Sequence, residues 1–476
     1  MAALAISAAT SVHATPPSVT NCTDHGSGSL RAAVQGAVSG DTIDLSQLQC
    51  SLITLTTGRI DVPGATIQGP GSTHLTIDGN LGDRVFNHAG NDILTLNGLT
   101  LTRGANDLTG GCVYATGTVI LHDTTITACE LRNIAGTGFY KGGGITVHGD
   151  LFMYSSTISN NILSTDLGHA FGGGAYAYGD MVVTATTISG NRASSASAHG
   201  LVGGGGAYSF HSMQLHGSTI TGNTAEGVGA SSSVHGGGVY ALGALVAKYD
   251  TFGGNRATSP HSSGGGGATT FGRAYMEWTT VSGNEAGSAG GLELFGGNTP
   301  LPSLLFDSTI SGNHATTGSG GGILGDAALS LRNCTIAFNT EQVPAGAGLL
   351  ASEYAIDLQG TLIAGNTAAS APLDVGGRNG GTIAASSSHS LVVSSSLPLP
   401  PGTLQGDPLL DPLRDNGGHT YTHALRAGSP AINHGNNAHN GGVDQRGIGF
   451  PRVIGSDADI GAFEFNPDVI FVNGFN

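Results

Sequence analysis

Residues 187–191 read TISGN, and the phrase returns as TITGN at 219–223 and as TISGN at 309–313. Variants of it end at further asparagines, which together form one column: Asn161, Asn191, Asn223, Asn255, Asn284, Asn313, Asn339 and Asn366. Successive members are roughly 30 residues apart, a period typical of a solenoid, in which each repeat contacts only its neighbours.

Apolar residues hold fixed places before each asparagine. The positions eight and three residues earlier are always apolar, and the position ten residues earlier is mostly so. Between two of these columns, seven residues before the asparagine, lies a column of a different kind: His122, Tyr154, Thr184, His216, Lys248, Glu277, Phe306, Arg332 and Gln359. Because side chains alternate with period two, this pattern indicates a β-strand, whereas a helix needs spacings of three and four.

Strands this short cannot bury an apolar face alone, so the repeats must stack. We predict an all-β fold, a right-handed single-stranded parallel β-helix of about ten coils with an N-terminal cap and a small C-terminal cap domain. The asparagines should form an inward hydrogen-bonded ladder, because a side-chain amide both donates and accepts. Glycine clusters such as 172–174 are expected at positive-φ corners, and the Ser- and Ala-rich stretches 193–201 and 225–234 are predicted to be loops.

Composition narrows the class of protein. The 476 residues include 81 glycines, which disfavour helices, while 39% hydrophobic residues are too many for a disordered linker. The net charge of −16 argues against nucleic acid as a partner. No apolar run reaches the roughly 18 residues that a transmembrane helix needs.

Export is predicted from the N-terminal region. Residues 1–14 are interpreted as a truncated signal peptide that is cleaved after Ala14. A disulfide between Cys22 and Cys50 would suit an exported protein, and the odd number of cysteines leaves at least one free thiol. The expected location is secreted, extracellular or at the outer cell surface.

Two regions resemble known families. The glycine clusters and phrases such as FGGN at 252–255 resemble the repeats of polymorphic outer-membrane proteins. The order of DPLL (407–410), DNGG (415–418), GSPAI (428–432), DQRG (444–447) and DIGAFE (459–464) resembles the choice-of-anchor Q domain of secreted bacterial β-helix proteins. That resemblance implies export and surface association, and the similar N-terminal segment at 28–33 implies a short helix that caps the solenoid.

The resulting division of the chain has six parts. They are the signal peptide 1–14, the N-terminal cap and first coils 15–98, the repeats 99–370, a linker 371–403, the choice-of-anchor Q-like cap 404–465 and a C-terminal tail 466–476.

Two outward columns are candidate sites. Tyr176, Tyr208 and Tyr240 share one position, where sugar rings could stack on them, although stacked tyrosines can also simply stabilise a sheet. His216, Lys248 and Glu277 are the candidates if the protein is an enzyme, since Lys and Glu can transfer protons. The alternative for these charges is a solvated ion pair of little energetic value.

No cysteine or histidine spacing is that of a metal site, and no cofactor is predicted. Calcium at Asp444, Asp457 and Asp459 of the cap is a minor possibility. The leading hypothesis is an exported cell-surface adhesin or glycan-binding scaffold without catalysis, with a polysaccharide or host glycan as partner and an unknown anchoring partner. The alternatives are a polysaccharide lyase or glycoside hydrolase acting on an acidic polysaccharide, and a structural envelope protein.

Overall fold

The period-two alternation corresponds to a stack of short parallel strands in the computed structural model, which describes residues 18–134, 136–296 and 301–468. Each coil passes through the sheets in a fixed order, and each strand pairs with the equivalent strand one coil away. The predicted fold class, an all-β parallel β-helix, is confirmed. The signal peptide predicted at 1–14 and most of the tail predicted at 466–476 lie outside the described residues.

Three long sheets form the walls of the solenoid, and all their pairings are parallel. Sheet 1 has thirteen strands: Thr42–Asp44, Thr66–Gln68, Leu94–Asn97, Val119–His122, Leu151–Tyr154, Met181–Thr184, Met213–His216, Leu245–Lys248, Ala274–Glu277, Ser303–Phe306, Leu329–Arg332, Ala355–Gln359 and Thr382–Ile383. Sheet 2 has twelve: Ile60–Asp61, Phe86–His88, Val113–Ala115, Ile145–Val147, Ala175–Ala177, Ala207–Ser209, Val239–Ala241, Ala268–Thr270, Leu292–Leu294, Ile323–Gly325, Leu349–Ser352 and Val375–Arg378. Sheet 3 has thirteen: Leu52–Thr54, Thr76–Asp78, Thr100–Thr102, Thr125–Thr127, Thr157–Ser159, Thr187–Ser189, Thr219–Thr221, Thr251–Gly253, Thr280–Ser282, Thr309–Ser311, Thr335–Ala337, Leu362–Ala364 and Leu391–Val392.

Two further sheets lie where the sequence predicted loops. Sheet 4 comprises Ala105–Asn106, Glu130–Ile134, Ile162–Thr165, Arg192–Ser195, Thr224–Gly227, Arg256–Thr258, Glu285–Ala286, His314–Ala315, Thr340–Glu341, Thr367–Ala368 and Ala371–Pro372. Sheet 5 comprises Phe139–Lys141, His169–Phe171, Leu201–Gly203, Ser233–His235 and Ser262–Gly264. The loop prediction for 193–201 and 225–234 was therefore wrong in part. Small residues such as Ala193 and Ala225 are fully buried there and, with Val202 and Val234, form a second, smaller core.

The asparagines form a continuous buried ladder. The Asn191 side-chain Nδ2 donates to Asn223 Oδ1 at 2.9 Å, and the Asn191 backbone N–H donates to the same oxygen at 3.0 Å. Nδ2 also donates to the Ile158 carbonyl in the preceding coil at 2.9 Å. The same contacts recur from Asn161 to Asn366. The ladder ends at Asp374, whose Oδ1 accepts from the backbone N–H and Nδ2 of Asn366 at 2.9 and 2.8 Å.

Glycine makes the space that the ladder needs. Gly172 begins its cluster with φ of 72°, a left-handed conformation that turns the chain into sheet 2. A Cβ on Gly174 would lie 2.8 Å from Asn191 Cγ and 2.7 Å from the Gly206 carbonyl oxygen. A side chain at this position would displace the asparagine, so the glycine clusters and the ladder depend on each other.

A second polar ladder, which the sequence analysis missed, runs five residues before the asparagines. Backbone N–H groups donate to hydroxyl oxygens one coil away, as from Thr186 to Ser218 at 3.2 Å and from Thr279 to Ser308 at 3.1 Å. Asp250 takes the place of a hydroxyl and accepts from the backbone N–H groups of Ser218 and Lys248, both at 2.6 Å. Burial raises the pKa of Asp250 to about 8 despite these bonds.

Both ends of the solenoid are closed. The helix Leu30–Gln35 buries Leu30, Ala33 and Val34 at the first coil, where the sequence placed a cap, and Cys22 is disulfide-bonded to Cys50. At the other end Leu397 and Leu399 pack against the main core.

The segment 371–403 was predicted to be a linker, but it contributes strands to sheets 1, 2 and 3. These strands, together with those before residue 98, make the stack longer than the expected ten or so coils.

The remaining cysteines lie in the core. Cys112 is disulfide-bonded to Cys129, and Cys334 is a buried free thiol. Burial raises the pKa of Cys334 to about 12, so the thiol is not ionised at neutral pH.

The segment 404–465 lies along the flank of the solenoid and does not close its end as predicted. Gln445 donates to Thr280 Oγ1 at 2.9 Å and accepts from Thr309 Oγ1 at 2.6 Å, so it binds two successive coils of sheet 3. The backbone N–H of Ala462 donates to Thr335 Oγ1 one coil further on. The outward threonines of sheet 3 supply these hydroxyls, which explains the sideways docking. No helix of the described residues has the length and apolarity needed to cross a bilayer.

Replacing Asn255 by Leu should lower the free energy of unfolding by about 3 kcal/mol. The change removes the acceptor of both Asn223 donors and the amide that donates to the Ile220 carbonyl, while the Asn284 carboxamide oxygen keeps only the backbone N–H of residue 255. Chemical denaturation of the purified protein measures the loss. The exposed Asn91→Leu serves as the control, and an equal effect of both changes would contradict the ladder's importance.

Asp250→Thr should stabilise the protein, increasingly so with rising pH. The pKa of Asp250 is raised in the folded state, so the unfolded chain ionises first and stability is lost between about pH 4 and pH 8. We expect a gain on the order of 2 kcal/mol at pH 8 and almost none at pH 4. Thermal melts across this pH range test it against the exposed Asp166→Thr, which should show no such trend.

Candidate functional site

The outward column of sheet 1 brings two of the three candidate catalytic residues together. His216, Lys248 and Glu277 occupy successive coils in register. The Lys248 ammonium lies 3.1 Å from Glu277 Oε2 and 4.4 Å from the centre of the Trp278 ring. His216 instead packs edge-on against Tyr249 and does not touch Glu277.

The flanking C-terminal segment extends this pair into a chain of alternating charges. His439 places Nε2 3.7 Å from Glu277 Oε1 and Nδ1 2.8 Å from Asp307 Oδ2. Arg452 lies 3.5 Å from the other oxygen of Asp307 and 3.1 Å from Glu464. Charges from sheet 1 and from the C-terminal segment thus alternate across their interface.

Two groups in this series of alternating charges, His439 and Glu464, have shifted pKa values. The hydrogen bond to Asp307 and the negative charges of Asp307 and Glu277 raise the pKa of His439 above its ordinary value, although burial and Arg332 oppose this. Burial raises the pKa of Glu464 to about 7. The imidazolium form of His439 therefore stabilises the docking of the C-terminal segment.

A polar cleft opens beside this chain, between sheet 1 and the loop 436–440. Its volume is about 330 Å³, and its walls are Arg332, Asp357, Gln359, Asn436, Asn437, Ala438 and Asn440. Arg332 and Asp357 also line a neighbouring depression of about 290 Å³ that reaches Pro302 and Ser386. The two hollows share these two residues on the outer face of sheet 1, and together they are called the groove below.

Several buried polar atoms around this cleft have no hydrogen-bond partner among the described residues. They are Nε of Arg332, both side-chain polar atoms of Asn333, and Oδ1 of Asn436 and Asn437. Folded proteins pair almost all buried polar atoms, and an unpaired one costs about 1–3 kcal/mol. Three of these residues, Arg332, Asn436 and Asn437, line the cleft, whereas Asn333 is fully buried behind its wall.

Asp357 and Gln359 are held in place within the groove. Asp357 Oδ1 accepts from Ser386 Oγ at 2.9 Å and from Gln359 Nε2 at 3.1 Å. Ser388 Oγ in turn donates to Gln359 Oε1 at 2.8 Å. These bonds fix two polar side chains of the wall before any ligand arrives.

The candidate tyrosines are stacked but not available to a ligand. The rings of Tyr176 and Tyr208 are 5.1 Å apart and those of Tyr208 and Tyr240 are 4.7 Å apart, both nearly parallel. Only 2%, 7% and 9% of the three residues is exposed. The expectation of free ring faces is corrected because sheet 5, which the sequence did not predict, covers this column; Phe171 of that sheet contacts Tyr208.

Exposed aromatic rings stand two residues further along the chain. Phe210 and Phe271 are 44% and 37% exposed, and Tyr178 is partly exposed. They belong to a corner column after sheet 2 that also contains His148, Leu242 and Phe295. This corner is a separate surface from the polar cleft.

The acidic residues considered for calcium are used by the fold. Asp444 binds the Arg446 guanidinium and the Glu464 backbone N–H. Asp459 accepts from the backbone N–H groups of Asn433 and Phe465, while Asp457 is exposed. No group of three metal-ligating side chains is found in the described part of the chain.

Chemically, the site is suited to binding. Glu277 and Asp307, two carboxylates of the charge chain, are each held between two cations, whereas the cleft itself presents amides, a guanidinium and the Asp357 carboxylate. The sequence analysis found Lys248 and Glu277 but missed His439 and the asparagines beside it. Their only signal was the polar run NNAHN at 436–440, which lies outside the repeat.

Comparison with known proteins gives limited information. No family model matches the chain, and no curated protein matches it. Among solved structures, the crystal structure of pectate lyase Pel9A is similar, with a TM-score of 0.33 and 12% identity, over 95% of this chain and 98% of that chain. A likeness of this size transfers no activity, so the functional argument rests on this chain's own residues.

His439→Gln should weaken the docking of the C-terminal segment at acidic and neutral pH. Because the pKa of His439 is raised in the folded state, its stabilisation is complete below about pH 6 and is lost as the pH rises through that raised pKa. The difference in thermal midpoint between the unchanged protein and the variant should therefore shrink as the pH rises. The exposed His261→Gln provides the baseline, and a difference that stays constant from pH 5 to pH 9 would refute the role of the imidazolium.

Proposed function

We propose that this protein is an exported glycan-binding scaffold whose ligand occupies the cleft between sheet 1 and the loop 436–440. The observation that carries the proposal is the set of unpartnered polar atoms on three residues that line the cleft, Arg332, Asn436 and Asn437. Saccharide hydroxyls both donate and accept, so they can satisfy amide oxygens and guanidinium N–H groups together. Small rotations of these side chains would turn the atoms towards a ligand.

The shape of the groove supports a chain-like ligand. The cleft and the neighbouring depression share Arg332 and Asp357, and together they cross the outer face of sheet 1. The floor is a set of paired strands, and the wall residues Asp357 and Gln359 are already hydrogen-bonded. A rigid, prearranged surface loses little entropy when it binds an extended molecule.

Binding without catalysis is supported by the state of the acidic groups. General acid–base cleavage of a glycan needs two carboxyl groups that face the scissile bond. Glu277 lies against Lys248 and His439, and Asp307 lies against His439 and Arg452. Both carboxylates therefore serve the interface with the C-terminal segment, which leaves Asp357 as the single carboxylate among the described residues that line the cleft.

Extracellular location is part of the same proposal. The two disulfides, Cys22–Cys50 and Cys112–Cys129, are of a kind that persists in oxidising compartments. A surface-anchored adhesin and a secreted binding protein share this chemistry.

The double variant Asn436→Ala/Asn437→Ala should lower affinity for the bound glycan at least tenfold. The change removes two amides from the cleft wall without altering any strand. A glycan array with the unchanged protein identifies the ligand, and calorimetry then compares the variants. The matched control is Phe210→Ser/Phe271→Ser in the exposed aromatic corner, which should bind normally.

Three results would contradict the proposal. Loss of binding only in the aromatic variant would move the site to that corner. Absence of binding to any glycan would favour a structural envelope role. Release of unsaturated products or new reducing ends from polysaccharides, abolished by Glu277→Gln, would make the protein an enzyme.

A further inference from the structure

We infer that the glycan bound in the cleft is acidic and that its carboxylates pair with Arg332 and Arg273. This inference rests on the proposed function, because it names the chemical class of the ligand for the same groove. It follows from the distribution of paired and unpaired charges around the groove.

Arg332 carries a charge that the protein does not neutralise. Its Nη1 donates to the Ala438 carbonyl at 3.2 Å, and its guanidinium lies 5.8 Å from the centre of the Phe306 ring. Its Nε has no partner, and it forms no ion pair with any described residue. The cation is therefore fixed in the wall by a neutral carbonyl, with donors left over.

Arg273 lies next to the groove, behind one of its lining residues. Its Nε donates at 2.9 Å to the carbonyl of Pro302, which lines the depression beside the cleft. Arg273 also pairs with no carboxylate within the described ranges. Of these two arginines without an ion pair among the described residues, Arg332 lines the groove and Arg273 adjoins it through Pro302.

Free cations are unusual in this chain, which has 16 Lys and Arg against 32 Asp and Glu. Most of its arginines lie against carboxylates, as Arg378 does with Asp326 and Arg452 with Glu464. Two other cations also lie against no carboxylate among the described residues. Arg84 binds Asn87 and the Thr109 carbonyl, and Lys141 lies over aromatic rings.

No acid near the groove forms an ion pair with Arg332 among the described residues, although the Asp357 carboxylate lines the same walls. Asp357 is hydrogen-bonded to Ser386 and Gln359, and no cation contacts it within ion-pair distance among the described residues. Glu277 and Asp307 face Lys248, His439 and Arg452. His439 lies between Glu277 and Asp307, so it adds no unpaired charge beside Arg332.

A carboxylate matches this arrangement. The planar guanidinium presents parallel N–H donors that bind both oxygens of a carboxylate, and such charge-assisted bonds are about twice as strong as neutral ones. Uronic acid residues carry a carboxylate on each ring together with hydroxyls for the asparagines. A polymer of uronic acids would therefore use both the cations and the unpartnered amides.

The test compares oligogalacturonate with its fully methyl-esterified form, which has the same backbone without charge. Calorimetry at low salt should show that the acid form binds the unchanged protein at least tenfold more tightly, with the preference decreasing at high salt. Arg332→Gln should abolish the preference, Arg273→Gln should reduce it about threefold, and Arg332→Lys should give an intermediate value. Arg378→Gln, which removes an exposed paired arginine, should leave it unchanged.

The outcomes separate the two proposals. Equal affinity for the acid and the ester, with both lost in Asn436→Ala/Asn437→Ala, would overturn the acidic ligand and retain the glycan site. A preference for a sulfated over a carboxylated oligosaccharide would also overturn the assignment to uronic acids. Weak binding of all glycans by the unchanged protein would remove both proposals, and thermal melts of each variant exclude misfolding as the cause of a loss.

Discussion

The structure depends on the ability of one buried side-chain amide to donate and accept at the same time. Coils stack at about 4.8 Å, so a polar side chain inside the stack can reach only its own coil and the two beside it. Asparagine satisfies both neighbours, which is why Asn191 contacts Asn223 and the Ile158 carbonyl simultaneously. The glycine clusters serve the same contact, since a Cβ at Gly174 would occupy the space of the amide.

The same stacking also fixes the positions of the side chains on the outer surface of the solenoid. Inward residues set the register of sheet 1, so outward residues such as Lys248, Glu277 and Arg332 also stand at fixed intervals. A repeat alone offers a flat wall, however, and the concave site arises where the non-repetitive loop 436–440 lies against that wall. The repeated strands of sheet 1 form one wall of the cleft, and the loop 436–440, which has no repeat, forms the other.

Regularity also determines what could be predicted from the sequence. The fold class and the pairing of Lys248 with Glu277 follow from one alignment, because each column repeats many times. The contacts of His439 could not be found in this way, since they join residues more than 130 positions apart through a segment without a repeat. The burial of Tyr208 was missed for another reason: sheet 5 is built from Ser- and Ala-rich stretches of variable length, whose short strands are stabilised by pairing between coils and carry little signal of their own.

The ladder has a direction, and this bears on how such a protein changes in length. From Asn161 to Asn339, each asparagine donates its N–H groups to the side-chain oxygen of the next asparagine. The hydrogen bonds between any two successive coils of this range are therefore the same. A duplicated coil inserted between them would extend the stack without creating an unmatched polar group. Asp374 is different, because its carboxylate accepts from Asn366 and from the Ser394 backbone N–H but carries no side-chain N–H, and its backbone N–H donates to the Ser394 carbonyl and not to another side chain of the ladder. Coils can therefore be duplicated within the repeat without breaking the ladder. The ladder ends at Asp374, where an oxygen atom stands in place of the amide nitrogen of asparagine.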